Sequence, residues 1–346
     1  MRKCCAWLLL AVLLLTGCGN NLSEQKVIFT TGLSDDQVFR IEKAVCTLTE
    51  AKAYLVNMQE DYEGTFGADI WQKETDSGTV EDRLKDSVLA KIAQIKAMNL
   101  LAKEMEIELD DTDRNKAKEA AKDYYGTLTE ADIKAMNNIT VEDLTAIYEE
   151  HALADKLYEY IIRDINPEIS DDEARTITVE QIFIKTYKLD ASGKKEPFDD
   201  AGKIRARRTI DEVKKRLDEG SSFEELIAEY NEADEGTISF GKGDMDQSYE
   251  DAAFALGTEE ISDIVDSEDG YVIIKCISTF NREETEANKV KIVAERKREV
   301  FGEQYDTFVA GLSKQLNEKL WDSVKLVEDE NVTTSGLMDI YQKYFD

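Results

Sequence analysis

Histidine and cysteine, two residue types that often carry out catalysis or bind metal ions, are rare in this chain of 346, which has one histidine and five cysteines. There is one histidine, His151, which lies in a predicted helix among Glu149, Glu150 and Asp155. A zinc site with several histidines and a catalytic pair of histidines are therefore excluded. We expect His151 to be a solvated residue on the surface of its helix, and we expect the protein to need no cofactor.

Acidic runs and cysteines are the other candidates for metal or redox chemistry. The acidic runs lack the spacing and the glycine of a calcium loop, so we interpret them as solvated surfaces. They are Asp35-Asp36, Asp110-Asp111, Asp171-Asp172-Glu173 and Glu328-Asp329-Glu330. Cys46 and Cys276 are far apart in the sequence. An oxidising compartment would permit a disulfide between them, but two separate buried thiols are favoured.

Overall charge limits the partners of the protein. Lysine and arginine number 43, aspartate and glutamate number 74, and the formal net charge is −31. Nucleic acids and bare acidic lipid surfaces are disfavoured, because binding phosphate groups requires a basic surface. Cationic segments of unfolded polypeptides would be attracted instead, within a screening length of about 8 Å at physiological salt. The hydrophobic share of 42% is too high for a disordered chain, and the length indicates about two domains.

The N-terminal residues have the pattern of a secretory signal. Arg2 and Lys3 precede a short apolar stretch from Cys4 to Leu15. The following Leu15-Thr16-Gly17-Cys18 resembles a bacterial lipobox, and this resemblance implies cleavage before Cys18 and acylation of its thiol. Residues 1–17 are then the lipoprotein signal peptide, residues 18–26 a tether, and the mature protein is anchored on the extracytoplasmic face of the cell membrane. The alternative is an ordinary signal peptide with an unmodified Cys18.

Helical periodicity dominates residues 27–175, the predicted N-terminal domain. The clearest helix runs from Thr79 to Met105, with apolar residues every three or four positions. Thr79 and Asp82 have the spacing of a capping box. Further helices are predicted near 111–125, 129–136 and 140–163. A short hairpin is predicted around Gly32–Asp36, between the runs 26–31 and 37–45.

The pattern changes in residues 176–281. A β-rich run, VEQIFI, is followed by three predicted helices with a strand, TISF, between the second and third. The segment ends in YVIIKCI, a run apolar enough for a central strand. This order predicts a compact α+β domain.

Residues 282–346 are predicted to be helical again. Apolar side chains recur four or three positions apart, which indicates a single amphipathic stripe that needs a partner surface. The stripe consists of Phe301, Tyr305, Phe308, Leu312, Leu316 and Leu320. We expect this C-terminal helix to pack back on the N-terminal domain, so that the middle domain is an insertion.

Residues 178–280 resemble the parvulin family of peptidyl-prolyl isomerases. The matching stretches occur in the family's order and spacing, and they are VEQIFIK, GSSFEELIAEY, FGKGDM, YEDAAFAL and GYVIIK. The whole layout is similar to the extracytoplasmic foldases of the PrsA/SurA type. The resemblance implies an α+β fold class: a mostly helical N- and C-terminal chaperone-like domain with an inserted parvulin-like domain, whose antiparallel-rich sheet carries three helices.

The resemblance also implies site residues. Parvulins hold a prolyl ring in an apolar pocket beside a polar cluster of two histidines and a cysteine or aspartate. Met245, Tyr249 and Phe254 match the pocket positions; pocket lining is favoured for Met245 and Tyr249, and a core role is favoured for Phe254. The two histidine positions are Gln181 and Val272, and the cysteine-or-aspartate position aligns near Ala233. Asp234 and Gln181 are therefore the remaining candidates for a catalytic role.

Two functions follow from this comparison. The first is a membrane-anchored foldase whose isomerase domain assists unfolded or newly secreted polypeptides. The second is a holdase chaperone whose parvulin-like domain binds peptides with little or no turnover, because Val272 offers no polar group. A homodimer is compatible with either function.

Overall fold

A computed structural model describes residues 32–75, 78–190 and 193–346. The predicted signal peptide, the tether, Cys18 and the run 26–31 lie outside these ranges. The described chain forms two compact units. One comprises the residues up to Leu157 together with Phe308–Asp346, and the other comprises Tyr158–Thr307.

Short strands and long helices make up the N-terminal part of the first unit. Their bounds are β1 (Gln37–Ile41), β2 (Ala44–Thr47), α1 (Leu48–Phe66), β3 (Glu74–Thr75), β4 (Gly78–Thr79), α2 (Val80–Glu104), α3 (Asp111–Thr127), α4 (Glu130–Ala135) and α5 (Val141–Ile162). The four helices predicted from periodicity and capping are confirmed. The predicted hairpin is misplaced, because the chain turns at Glu42 and pairs β1 with β2.

The same capping device starts several of these helices. The Thr79 hydroxyl accepts a hydrogen bond from the backbone N–H of Asp82, and the Asp82 carboxylate accepts one from the backbone N–H of Thr79. Asp110 at α3 and Thr129 at α4 are used in the same way. Each box satisfies backbone donors that the first helical turn leaves without partners. The helix boundaries were therefore predictable from local sequence.

The second unit is built on one antiparallel sheet with helices on both faces. Its elements are β5 (Thr176–Lys185), β6 (Tyr187–Leu189), β7 (Lys195–Pro197), α6 (Asp200–Asp218), α7 (Phe223–Tyr230), β8 (Thr237–Gly241), α8 (Gln247–Ala255), β9 (Val265–Ser267), β10 (Gly270–Ser278) and α9 (Arg282–Ala310). The strand order is β8-β5-β10-β9. The predicted α+β fold class is confirmed, whereas the β6–β7 hairpin and the edge strand β9 were not predicted.

Alternation along β5 divides the core of this unit in two. Ile182 and Ile184 point toward α6 and α7, where they pack with Ile210 and Phe223. Residues of the opposite parity point toward α8; Ile177 and Val179 are examples. Successive side chains of a strand alternate between the faces of the sheet, so a strand buried on both faces is apolar throughout. The run VEQIFI meets this requirement except at Glu180, which forms an ion pair with Lys275 of β10, and at Gln181.

The chain after α9 does not continue as the predicted single helix. It forms β11 (Lys314–Leu316), α10 (Glu318–Ser323) and α11 (Leu337–Phe345). Helix α9 ends at Ala310, before the last three leucines of the predicted stripe. Leu316 instead lies opposite Phe39 in the pairing of β11 with β1. A strand also places alternate side chains on one face, so the apolar spacing did not distinguish the two structures.

Side chains of α1 bind the C-terminal segment within the first unit. The side-chain amide of Gln59 donates to the carbonyl oxygen of Val327 at 2.7 Å and accepts from its N–H at 2.8 Å. The Asn57 Oδ1 accepts from Tyr124 Oη and from the backbone N–H of Leu337. Trp321, Val332, Leu337 and Tyr341 are buried in the same core as α1 and α2.

Two expectations about single residues have different outcomes. Cys46 and Cys276 are both buried free thiols, as predicted. His151 is not solvated: it is 7% exposed, its Nε2 lies 2.7 Å from Tyr54 Oη, and its ring packs against Tyr341. The acidic neighbours in the sequence suggested an exposed position, but the His151 side chain contacts Tyr54 of α1 and Tyr341 of α11, and these residues cover it. Burial, and secondarily the charge of Lys91, lowers the pKa of His151 to about 3.

We therefore expect His151 to destabilise the protein in acid. Its pKa is lower in the folded than in the unfolded state, so stability is complete above about pH 6.5 and is lost as the pH falls toward 3. Below pH 6.5, the free energy of unfolding should fall by up to about 1.4 kcal/mol per pH unit from this residue. Urea unfolding of the wild type and of His151→Gln, compared at pH 7.5 and 5.5, measures this contribution. Glutamine can still bond Tyr54, and parallel pH profiles for the two proteins would contradict the expectation.

Candidate functional site

The predicted site lies on the face of the sheet that α8 covers. Strands β5 and β10 pair with Gln181 opposite Ile274 and with Val272 opposite Phe183. Gln181 and Val272 are therefore near neighbours on adjacent central strands. Val272 is completely buried in the apolar cluster under α8. It contributes packing and no polar group.

Gln181 is the buried polar residue of this face. It is 6% exposed, and both ends of its side-chain amide have partners. Its Oε1 accepts a hydrogen bond from Tyr249 Oη at 3.0 Å, and its Nε2 donates to the carbonyl oxygen of Glu235 at 3.1 Å. A buried amide without such partners would cost about 1–3 kcal/mol. Gln181 is therefore held in one orientation.

Tyr249 belongs to the core as well as to the site. Its side chain is 1% exposed, and its ring makes an edge-to-face contact with Phe240 at 5.6 Å between centroids. Burial raises the pKa of its hydroxyl far above the ordinary value, so the hydroxyl stays protonated and donates to Gln181. A bound prolyl ring could reach the Tyr249 ring only if covering side chains moved.

Met245 and Phe254 provide the accessible apolar surface of this region. Both are partly buried and pack against the cluster that contains Tyr249. Phe254 makes an edge-to-face contact with Phe240 at 5.8 Å, and the Arg175 guanidinium lies 4.8 Å from its centroid. The Arg175 guanidinium covers part of the Phe254 ring, and the rest of that ring can contact an uncharged prolyl ring. These two residues can therefore form the rim of a shallow apolar site.

Asp234 does not join this arrangement. It is exposed, and neither hydrogen bond of the Gln181 side chain involves it. The loop that carries it is held to β5 by Asn231, whose Oδ1 accepts from the backbone N–H groups of Phe183 and Ala233. Sequence analysis overlooked Asn231. Its position directly after α7 was the available signal, because asparagine commonly bonds nearby backbone groups.

The polar groups at this site suit binding better than proton transfer. Isomerisation breaks no covalent bond, but it must overcome an amide rotation barrier of about 18–20 kcal/mol. Catalysis requires tighter binding of the twisted amide than of the planar one. The Tyr249 hydroxyl already donates to Gln181 Oε1, and one N–H of Gln181 Nε2 already donates to Glu235, so the second N–H of Gln181 is the donor that remains for a twisted amide. Within the described ranges, no group of three or more His, Cys, Asp or Glu residues could hold a metal ion.

Comparison with known proteins agrees with the fold of this unit. Residues 182–278 match the PPIC-type PPIASE domain, a rotamase. The "Foldase protein PrsA" of Halalkalibacterium halodurans is 28% identical over 205 residues, which cover 56% of this chain and 58% of that protein. The protein of that name from Bacillus subtilis is 40% identical over 88 residues, which cover 21% and 30%. The chain thus aligns with less than two thirds of either relative.

Two longer alignments extend beyond the rotamase domain. The "Foldase protein PrsA" of Caldanaerobacter subterraneus is 25% identical over 297 residues, covering 80% of this chain and 86% of that protein. A crystal structure of PrsA from Bacillus cereus aligns with 79% of this chain and 98% of its own, at 20% identity and a TM-score of 0.38. The family model identifies residues 182–278 as a parvulin-type rotamase domain, and the sequence alignments make the chain PrsA-like beyond that domain.

Proposed function

We propose that this protein is an extracytoplasmic foldase that binds proline-containing segments of newly secreted polypeptides through its parvulin-type domain. The observation that carries the proposal is the rotamase fold with the partly exposed Met245 and Phe254 at the pocket positions. Anchoring through Cys18 is supported by the resemblance of residues 15–18 to a lipobox. In the described ranges, no helix is both long and apolar enough to span a membrane. A lipid on Cys18 would supply the attachment.

A second candidate function, a holdase with little turnover, is favoured by one specific observation. The Gln181 side chain is bonded to Tyr249 and to Glu235. The second histidine position of the family is the fully buried Val272. Such a site would still bind an apolar ring, but it would stabilise the twisted amide poorly.

A turnover assay on an X-Pro peptide separates the two candidates. We expect the wild type to accelerate isomerisation only slightly, and we expect Gln181→His with Val272→His to be faster because the polar cluster is restored. Burying a second imidazole will lower stability, so thermal unfolding must show that the double variant is folded. No gain in a folded double variant would contradict this expectation. Fast turnover by the wild type would reject the holdase candidate.

Met245 is the side chain to test for ligand binding. We expect Met245→Ala to weaken binding of an X-Pro peptide about tenfold, because a substantial apolar contact with the ligand is removed. Truncating Tyr249 is unsuitable here, since removing a fully buried aromatic ring typically costs about 3–5 kcal/mol of stability. Met338→Ala, which removes a partly buried methionine in the first unit, is the matched control. Equal affinity of Met245→Ala and the wild type in a calorimetric titration would reject the pocket assignment.

The bond between Tyr249 and Gln181 can be measured with a double-mutant cycle. We expect Tyr249→Phe alone to lower the free energy of unfolding by about 1–2 kcal/mol, because it leaves Gln181 Oε1 buried without a donor. In a Gln181→Leu background the same change should cost much less. Urea unfolding of the four proteins gives a coupling energy of about 0.5–1.5 kcal/mol if the bond is made as described. Additive effects would show that the pair does not act as a unit.

A further inference from the structure

A cluster of aromatic side chains is exposed at the C-terminal end of α1. Tyr62 is 38% exposed and Phe66 is 62% exposed. The Tyr62 ring stacks on Trp71 at 5.9 Å between centroids, and it lies 6.0 Å from Phe66. We call Tyr62, Phe66 and Trp71 the α1 aromatic cluster. Side chains of this size are usually buried, and when they are exposed together they commonly mark an interaction surface.

Hydrogen bonds to Glu63 hold Trp71, the buried member of the α1 aromatic cluster, in place. Trp71 is 7% exposed, and its indole N–H donates to Glu63 Oε1 at 2.7 Å. The same oxygen accepts from Gln59 Nε2 at 2.8 Å, so Glu63 is fixed between α1 and the chain that follows it. Gly67, at φ 80°, ends the helix and turns the chain back toward Trp71. Rings that are ordered before a ligand arrives lose little entropy on binding it.

The charge around the cluster indicates what it would bind. Residues 53–72 contain four acidic residues, Glu60, Asp61, Glu63 and Asp69. They outnumber the three nearby lysines, which are Lys52 and Lys73 at the ends of this stretch and Lys91, whose charge acts on Asp61. Burial, followed by the charges of Glu63, Asp132 and Asp61, raises the pKa of Glu60 to about 7. Burial is the main cause of this shift, and the three neighbouring carboxylates add a negative local potential to it. A cation placed beside these rings would meet both that potential and the negative faces of the rings.

The same charges argue against other occupants. A second copy of this chain would bring another net charge of −31, and its own α1 aromatic cluster is equally acidic. An anionic lipid surface would be repelled in the same way. An unfolded polypeptide with basic residues carries the opposite charge and also exposes apolar side chains that can cover Phe66.

We propose that the α1 aromatic cluster binds unfolded polypeptide segments in which a lysine or arginine lies next to an apolar residue. The aliphatic or aromatic side chain of the segment covers Phe66, while the cation lies over the exposed face of Tyr62 near the surrounding carboxylates. The proposal rests on the proposed role in handling secreted polypeptides, but it concerns a different surface from the rotamase site.

The test uses the purified full chain and a peptide without proline, so that the rotamase site is not required. The probe alternates lysine with leucine, and a counterpart has glutamate in place of every lysine. We expect Tyr62→Ala with Phe66→Ala to weaken binding of the lysine probe about tenfold in a calorimetric titration. The matched control is Tyr160→Ala with Leu189→Ala, which removes side chains that are 40% and 59% exposed in the other unit. We expect this control to bind as the wild type does.

A charge variant supplies the second arm. Asp61→Asn with Asp69→Asn, at two exposed positions, should weaken binding of the lysine probe severalfold and reduce the dependence of its affinity on salt. Unchanged binding by both double variants would overturn the proposal, and so would equal affinity of the wild type for the two probes. A concentration-dependent dimer that Tyr62→Ala with Phe66→Ala dissociates would overturn it in favour of a self-association surface.

Two further results keep the test decisive. If the aromatic double variant unfolds, Phe66→Ala alone, at the most exposed position, must weaken binding for the proposal to stand. If the wild type binds neither this probe nor an X-Pro peptide, the proposed function itself fails. If the wild type binds the X-Pro peptide but binds the lysine probe no more tightly than Tyr62→Ala with Phe66→Ala does, only the proposal for the α1 aromatic cluster is rejected.

Discussion

The pairing of β5 with β10 is the constraint on which the parvulin-type unit depends. Both strands are central in the sheet and buried on both faces, so nearly every side chain along them must be apolar. Gln181 is the buried polar residue of β5 on the face that α8 covers, and its amide can be buried there because Tyr249 and Glu235 satisfy it. On the opposite face, Glu180 forms an ion pair with Lys275 of β10. The register then places Gln181 beside the position of Val272. The two hydrogen bonds of the Gln181 side chain therefore connect the centre of the sheet to α8 and to the loop after α7.

This arrangement shows how a catalytic fold can be kept while its polar centre changes. A Tyr–Gln pair is uncharged at every physiological pH, since burial keeps the tyrosine protonated. It stabilises the fold in the place where the family's histidines would interact with a ligand. Met245 and Phe254 do not depend on those histidines, because Phe254 of α8 packs on Phe240 and Met245, just before α8, packs against the same apolar cluster. The apolar side chains and the polar centre of this domain are thus held by different contacts.

Local rules predicted most of the fold, and the failures have identifiable causes. Helices α2 to α5 carry capping residues and apolar periodicity within a few positions, and the central strands are long apolar runs. The prediction of a single helix from Phe301 to Leu320 was wrong because leucines on β11 and α10 pack into the same core as those of a helix would. The prediction that His151 is solvated was wrong because its burial depends on contacts with α1 and α11, which are distant in sequence. At the site, residue types were predictable from family resemblance, but the mutual bonding of Gln181 and Tyr249 was not, since it requires the packing of α8 on β5.

The two hydrogen bonds between Gln59 and Val327 have a consequence for the order in which the parts of the chain fold. The first unit is discontinuous: its α1 side chains bond residues that are made almost last. The parvulin-type unit is one uninterrupted stretch and can fold as soon as that stretch emerges. During vectorial synthesis or export, Asn57, Gln59 and the apolar surface beneath them must wait for the tail to arrive. A stop codon or a protease cut that removes the last twenty residues would therefore leave the first unit without part of its core. The parvulin-type unit, which contains none of those residues, would remain intact.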